Sequence, residues 1–388
     1  MKYDNQLRHA VRITEAYRGG MPLHTWLKEF FRDNKQMGSR DRRLLSTLVY
    51  GFYRLGHAAR ELPANERLLA GLFLCSETPN ELLEHFRPGW DATAPLVQKL
   101  AFFRQQPEGA HFSVTDIFPW KDELSAGIAH EAFCLSFLRQ PDLFLRIRPG
   151  FEATVRERLQ QTGAFAEFIP PFTLRLTNGF DVGKYFAPDR EVVIQDYSSQ
   201  QVGRLLAPAT PQPRSFWDAC AASGGKSILA HDLYPGMKLT VSDIRESILQ
   251  NLRTRFSDAG IRDYHSFVAD LTRPLPANII PAADMILADV PCTGSGTWGR
   301  TPEELYFFHP DKLGHYSSIQ RKIVTNLIPD LASGGILVYS TCSVFKKENE
   351  EITTLIRDES GLQEMGMENI KGYDQRADTL FAARFVRI

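Results

Sequence analysis

Five apolar runs, each ending in a polar or reactive residue, constrain this chain most. Phe216-Trp217 ends at Asp218, Leu239-Thr240-Val241-Ser242 at Asp243, Ser266-Phe267-Val268-Ala269 at Asp270, and Met285-Ile286-Leu287-Ala288 at Asp289. Gly335-Ile336-Leu337-Val338-Tyr339 is the fifth and leads into Ser340-Thr341-Cys342. Each run reads as a buried strand, and from Asp189 onward strands alternate with helical stretches, the pattern of a parallel sheet. In a doubly wound α/β domain the carboxyl ends of the strands open onto one crevice, where ligands bind. Side chains at these five tips are therefore expected to share a site.

Two of those tips carry cysteines fifty residues apart, Cys292 in Asp289-Val290-Pro291-Cys292-Thr293-Gly294 and Cys342 in Ser340-Thr341-Cys342-Ser343. A thiolate is a strong nucleophile towards an electron-poor ring, so covalent catalysis through a thiol is the sharp reading. The plain reading is that both are small core residues, which is how free cysteines usually behave.

The stretch Asp218-Ala219-Cys220-Ala221-Ala222-Ser223-Gly224-Gly225-Lys226-Ser227 tips the balance towards chemistry. A strand runs into small residues and two glycines, and a helix opens near Lys226. Glycine lets backbone approach a ligand, and a helix start offers unpaired N–H groups. The spacer of a Walker A loop is missing, and so is Gly-x-Gly-x-x-Gly, which makes NAD a poor fit. Asp243 lies eighteen residues after Gly225, at the tip of the second strand, where an acid hydrogen-bonds ribose hydroxyls. Asp270 is placed to meet an adenine amino group. The ordinary reading of each aspartate is a cap or turn residue. Three in sequence at strand ends (Asp243, Asp270 and Asp289) favour a nucleoside site.

From Val193 to Arg387 the chain resembles the Sun (RsmB-like) RNA (cytosine-5)-methyltransferases, which use S-adenosylmethionine. The matching stretches are Ile194-Gln195-Asp196-Tyr197-Ser198-Ser199-Gln200, the glycine loop from Asp218 to Lys226, Asp289-Val290-Pro291-Cys292-Thr293-Gly294-Ser295-Gly296, and Tyr339-Ser340-Thr341-Cys342-Ser343 followed by Glu348-Asn349-Glu350. The resemblance implies a Rossmann-like class I methyltransferase domain. It implies that Cys220, Ala221, Ala222, Ser223, Gly224, Gly225, Lys226, Asp243, Asp270 and Asp289 contact the cofactor, that Cys342 is the nucleophile, and that Cys292 assists product release. DNA cytosine-5 methyltransferases share the Pro-Cys element but lack the Thr-Cys-Ser one. The chain departs from the family at three places. Ser223 stands where proline is usual, Gly299-Arg300-Thr301-Pro302-Glu303 thins a charged pattern, and Ala377-Asp378-Thr379-Leu380-Phe381 replaces a Gly-Asp-Gly-Phe-Phe-like stretch.

The residues suit this chemistry. Addition of the Cys342 thiolate to carbon 6 of cytosine breaks aromaticity and makes carbon 5 enamine-like. Asp289 would hydrogen-bond the ring near nitrogen 3 if its side chain holds or shares a proton, as a carboxyl in a dry pocket can.

Upstream, residues 1–138 read as helical, with segments at 7–17, 23–31, 41–55, 66–76 and 95–103. This part resembles the NusB-like RNA-binding domain that precedes the catalytic part in the same family. Net charge is −1, but residues 1–60 hold twelve Lys/Arg against five Asp/Glu, including Arg40, Arg42 and Arg43. Phosphate binding needs a local basic face of this kind, although a solvated helix surface looks the same in sequence. Residues 139–190 mix short strands with one helix, a small α+β module that faces RNA in the family. Arg146, Arg148 and Arg175 suit phosphate contact there. Residues 191–388 form the methyltransferase domain.

Five cysteines without a CxxC pair point to a reducing compartment. The polar N-terminus gives no secretory leader, and no apolar run of about eighteen residues spans a membrane. The expectation is a cytoplasmic, monomeric enzyme with S-adenosylmethionine as cofactor, RNA as partner (ribosomal RNA foremost, tRNA left open) and no metal. Two other classes compete with it: an assembly factor with a relic fold, and a small-molecule methyltransferase. The intact Cys342, Cys292, Asp289, Lys226 and Asp243 argue against the first. The basic N-terminal part argues against the second.

Overall fold

The computed structural model describes residues 2–207, 211–276 and 279–388. The chain divides into two compact units. The first comprises Met1–Asp122, Ala129–Gln140 and Thr297–His309; the second comprises Glu123–Ile128, Pro141–Gly296 and Pro310–Ile388.

The first unit is helical. Helices Lys2–Ala16, Leu23–Asp33, Ser39–Arg54, Ala64–Cys75 and Leu96–Phe103 fall where the apolar spacing puts them. Two short helices, Glu81–Phe86 and His130–Ser136, carry too few turns to show a period. Tyr17, Tyr53 and Phe307 meet edge-on or tilted, with centroids 5.7–5.9 Å apart. Phe307 belongs to the Thr297–His309 segment, which also carries the thinned charge pattern. Glu303 is buried and accepts a hydrogen bond from Leu23 N at 3.0 Å, and Gly299 O accepts one from Arg54 at 2.9 Å.

The second unit contains two sheets. The smaller has four antiparallel strands in the order β2-β3-β1-β4, where β1 is Leu143–Ile147, β2 Ala166–Ile169, β3 Thr173–Leu176 and β4 Val192–Ile194. Its alternating apolar face (Leu145, Ile147, Leu174, Leu176, Val192) packs with Val155 and Leu159 of helix Glu152–Thr162.

The larger sheet contains β5 (Ser215–Asp218), β6 (Lys238–Asp243), β7 (Tyr264–Val268), β8 (Ala283–Asp289), β9 (Leu331–Thr341), β10 (Gln363–Ile370) and β11 (Leu380–Val386). Its order is β10-β11-β9-β8-β5-β6-β7; the run from β9 to β7 is parallel, and β11 and β10 are antiparallel. Successive strand residues point to opposite faces, so each strand feeds two cores. Phe216, Met285 and Leu287 pack with Leu249, Leu252 and Phe256 on one face. Trp217, Ile286 and Ala288 pack with Ile323, Val324 and Leu327 on the other. The order reverses between β5 and β8, so the crevice must open at the tips of β5, β6, β8 and β9.

The arginines assigned to phosphate contact are committed elsewhere, which corrects the sequence reading. Arg146 and Arg148 are buried, and both bond Asp232, at 2.5 and 2.7 Å. Arg175 bonds Asp142 at 2.7 Å and Glu167 at 3.2 Å. A buried guanidinium requires a partner, and Asp232 supplies it for Arg146 and Arg148 as Asp142 does for Arg175. Among the described residues, no helix is long and apolar enough to cross a membrane, and no group of His, Cys, Asp and Glu side chains is placed to hold a metal ion.

Candidate active site

The tips of β5, β6, β7, β8 and β9 line a cavity of about 460 Å³. Cys220, Ala222, Asp243, Asp270, Asp289, Cys292 and Cys342 line it. Ala221, Ser223, Gly224, Gly225 and Lys226 do not; they shape the loop behind it.

That loop is built from local constraints. Gly224 sits at φ +82°, and a Cβ there would stand 2.7 Å from the Phe256 ring, so both conformation and space require glycine. Helix Gly225–Leu233 starts immediately after it. Ala222 N donates to Asp243 Oδ2 at 3.0 Å, and Arg245 N donates to Asp243 Oδ1 at 2.9 Å. Asp243 therefore fastens the loop to β6 as well as facing the cavity. Asp270 Oδ1 accepts from Thr272 N and Oγ1 at 3.1 and 2.7 Å, so it is also a turn-capping residue.

Ser223, in the place of the expected proline, has its own support. Arg255 makes a two-pronged pair with Asp189 (2.9 and 2.7 Å) and donates from Nη1 to Ser223 O and Oγ at 3.0 and 2.9 Å. Sequence reading gave Arg255 no role, because no spacing rule links it to Asp189.

The other half of the site is ionic and sulfurous. Lys226 Nζ bonds Asp289 Oδ2 at 2.7 Å. Burial alone would lower the Lys226 pKa, but the charge and hydrogen bond of Asp289 outweigh it and the net shift is upward. Cys292 Sγ lies 3.3 Å from Cys342 Sγ. The Cys292 thiol is pushed well up, first by its hydrogen bond to Cys342, then by burial and by the Cys342 and Glu348 charges. Cys220 is also pushed well up, by burial and then by the charges of Asp218, Asp289 and Asp243. It stays a neutral thiol. Gly296 locks the Pro-Cys loop: its N donates to Cys342 O at 2.9 Å, and a Cβ there would stand 1.8 Å from Thr379 O. The Ala377–Phe381 departure thus packs against the catalytic loop through its backbone, since Thr379 N also donates to Gly296 O.

Asp218, the first of the five strand tips, does not line the cavity: it is buried, with Oδ2 accepting from Ser227 and, among the described residues, no partner for Oδ1. Two features were missed in sequence. Tyr316, Ile319 and Ile323 line the cavity from helix Asp311–Leu327, and their helical spacing was the available signal. Glu348 lies beneath both cysteine loops, in a stretch noted only for its resemblance.

The residues present fit a nucleoside sulfonium cofactor. The cavity has the volume of a small-molecule site, acids stand at three strand tips (Asp243, Asp270 and Asp289), Ile244 and Leu271 add apolar walls, and Cys220 and Ala222 of the glycine loop add to the lining. This sheet order, with that site at its switch point, defines a class I S-adenosylmethionine-dependent methyltransferase domain.

Comparison with known proteins narrows the class. Residues 204–382 match the family described as 16S rRNA methyltransferase RsmB/F, and over that stretch the chain is similar to it, as the sequence resemblance implied. A probable ribosomal RNA small subunit methyltransferase B from Bacillus subtilis is 30% identical over 271 residues, covering 68% of this chain and 58% of that protein. The ribosomal RNA small subunit methyltransferase B of Xylella fastidiosa is 29% identical over 332 residues, covering 81% and 74%. The chain thus spans less than two thirds of the Bacillus protein's length. NSun6 from Pyrococcus horikoshii, solved with SFG, shares the fold at TM-score 0.56 and 15% identity, over 74% of this chain and 97% of that one. The crystal structure of PH0851 does so at TM-score 0.69 and 19% identity, over 97% and 96%.

Proposed function

We propose that this chain methylates carbon 5 of a cytosine in RNA, with small-subunit ribosomal RNA as the substrate class. One observation carries the reading: two thiols 3.3 Å apart at neighbouring strand tips, on the cavity that Asp289 also lines. One nucleophile would suffice for attack; a second thiol in contact suits a reaction that must also release a covalently held product.

S-adenosylmethionine, when bound, supplies a methyl group on a sulfonium. Asp243, Asp270 and the loop residues Cys220 and Ala222 would hold it, with Asp289, paired to Lys226 behind the lining, on the same cavity as the thiols. The Cys342 thiolate adds to carbon 6, and the electron pair of the 5,6 double bond moves into the ring. A proton at nitrogen 3 stabilises that adduct, and the Lys226–Asp289 pair holds one between Nζ and Oδ2. The sequence reading asked Asp289 to hold or share a proton, and in this pair it shares one with the Lys226 ammonium. Carbon 5, now enamine-like, would take the methyl group while the bonding pair stays on the sulfonium sulfur; nitrogen 3 returns its proton to the Lys226–Asp289 pair, and carbon 5 loses its own proton to a base as the 5,6 double bond re-forms. The carbon 6–sulfur bond breaks, and its electron pair returns to Cys342 while Cys292 S–H hydrogen-bonds the departing thiolate.

Relatives named as ribosomal RNA small subunit methyltransferases support the RNA class. The basic excess of residues 1–60 supports phosphate contact from the helical part. The test is methylation of deproteinised small-subunit RNA with labelled S-adenosylmethionine, followed by bisulfite sequencing. The reading expects 5-methylcytosine at discrete positions. Methyl label without 5-methylcytosine would overturn it.

A further inference from the structure

Glu348 is 0% exposed and pairs with no cation among the described residues. A carboxylate so placed is costly unless its lone pairs are filled. They are. Oε1 accepts from Thr293 N at 2.9 Å and Gln320 Nε2 at 3.1 Å; Oε2 accepts from Thr293 Oγ1 at 2.6 Å and Ser343 Oγ at 2.5 Å. Thr293 follows Cys292 and Ser343 follows Cys342. Gln320 Nε2 also donates to Pro291 O at 2.9 Å, on the other side of Cys292. Asn349 continues the clamp: its Oδ1 accepts from Thr341 Oγ1 at 2.6 Å and its Nδ2 donates to Ser343 O at 2.9 Å, on both sides of Cys342. One buried acid and its neighbour therefore grip both cysteine loops.

We propose that Glu348 is the positioning residue that divides labour between the thiols: it ties both loops to one anchor and sets a negative charge beside Cys292, so that Cys292 keeps its proton and Cys342 becomes the thiolate. The charges facing the pair are arranged for this. Cys292 lies within electrostatic reach of Glu348, whereas Lys226 lies within reach of Cys342 and bonds Asp289. The Tyr339 hydroxyl, the other titratable group at the clamp, donates to Glu348 O and is held neutral by burial. Burial pushes the Glu348 pKa up, and although its four hydrogen bonds oppose that, the net shift is upward. The assignment rests on the functional reading above, for which the identity of the attacking thiol matters.

The test needs neither RNA nor cofactor. In the full chain, alkylation of each cysteine by iodoacetamide is followed against pH by mass spectrometry, using Cys342→Ser to isolate Cys292 and Cys292→Ser to isolate Cys342. Adding Glu348→Gln to the first background is expected to lower the Cys292 midpoint by about one pH unit, roughly a tenfold faster reaction at pH 8. The Cys342 midpoint should move less. Glu348→Asp, which keeps the charge, should leave the Cys292 midpoint near its original place. An unmoved Cys292 midpoint in Glu348→Gln, or equal movement of both cysteines, overturns the proposal. Should Glu348→Gln fail to fold, the otherwise unaltered chain decides by the order of labelling: Cys342 first supports the assignment, Cys292 first overturns it. A chain that shows the asymmetry but methylates no RNA refutes the functional reading and leaves the Glu348 assignment standing.

Discussion

Cys292 Sγ and Cys342 Sγ sit 3.3 Å apart because β8 and β9 run parallel in a register that pairs Asp289 with Ser340. Each chain then turns over the sheet edge within three residues. The separation is well beyond the roughly 2.05 Å of a disulfide, so the two are thiols in contact and not a bridge. Strand register thus brings two thiols fifty residues apart in sequence into contact.

The Ser223 loop yields a double-mutant prediction. Arg255→Ala removes both hydrogen bonds to Ser223 and should weaken cofactor binding about tenfold, or ~1.4 kcal/mol. Among the described residues the Ser223 amide donates no hydrogen bond, so a proline there loses none and stiffens the loop. Ser223→Pro should therefore recover at least half of the loss caused by Arg255→Ala in calorimetric titration with S-adenosylmethionine. Losses that simply add would show that Arg255 does not support the loop through Ser223.

Asp243→Ala should weaken the same titration by ten- to a hundredfold. Removing hydrogen bonds to a charged acceptor costs about 1.5–3 kcal/mol, and here the Ala222 amide is also released. Unchanged affinity would take Asp243 out of the cofactor site.

Asp218 gives a pH signature. Burial pushes its carboxyl up to about 7, against the Ser227 hydrogen bond and with the Asp289 charge adding to the rise. The folded state thus holds a proton that the unfolded chain loses near pH 4, so stability falls as pH rises through that window and levels off above about 7. The span corresponds to something on the order of 4 kcal/mol. Asp218→Asn should flatten this component in urea unfolding measured from pH 5 to 8. Parallel curves for the two proteins would contradict it.

Much of the site was legible because strand tips in a parallel sheet obey one rule. Four apolar runs sufficed to place Asp243, Asp270, Asp289, Cys292 and Cys342 around one cavity, whereas Asp218, at the end of the remaining run, lies off its lining. The contacts that escaped are made by groups distant in sequence whose pairing depends on side-chain reach: Arg255 with Asp189, and Glu348 with Thr293. The phosphate reading of Arg146 and Arg148 failed for a related reason. An arginine's place on a short strand does not show which acid stands within its reach, and here Asp232 does. Asp243 and Asp270 show that the two readings of a strand-end acid are compatible, since both cap backbone amides and face the cavity.

The basic helix Ser39–Arg54 makes a prediction about RNA affinity. Arg40 and Arg43 are exposed, whereas Arg42 donates to Met37 O at 2.8 Å and lies over the Phe31 ring. Neutralising Arg40 and Arg43 should flatten the dependence of log affinity on log salt, by up to roughly 0.7–0.9 for each phosphate neighbour given up. Neutralising Arg42 should change it less. Identical slopes throughout would mean that this face is only solvated.

The division between the thiols is tested most directly on a denaturing gel, with labelled RNA and S-adenosylmethionine. Cys342→Ala lacks the nucleophile and should give neither 5-methylcytosine nor a covalent species. Cys292→Ala should still attack and methylate but release poorly, so protein–RNA adducts should accumulate. Adducts that persist in Cys342→Ala and vanish in Cys292→Ala would contradict the account and assign the attack to Cys292.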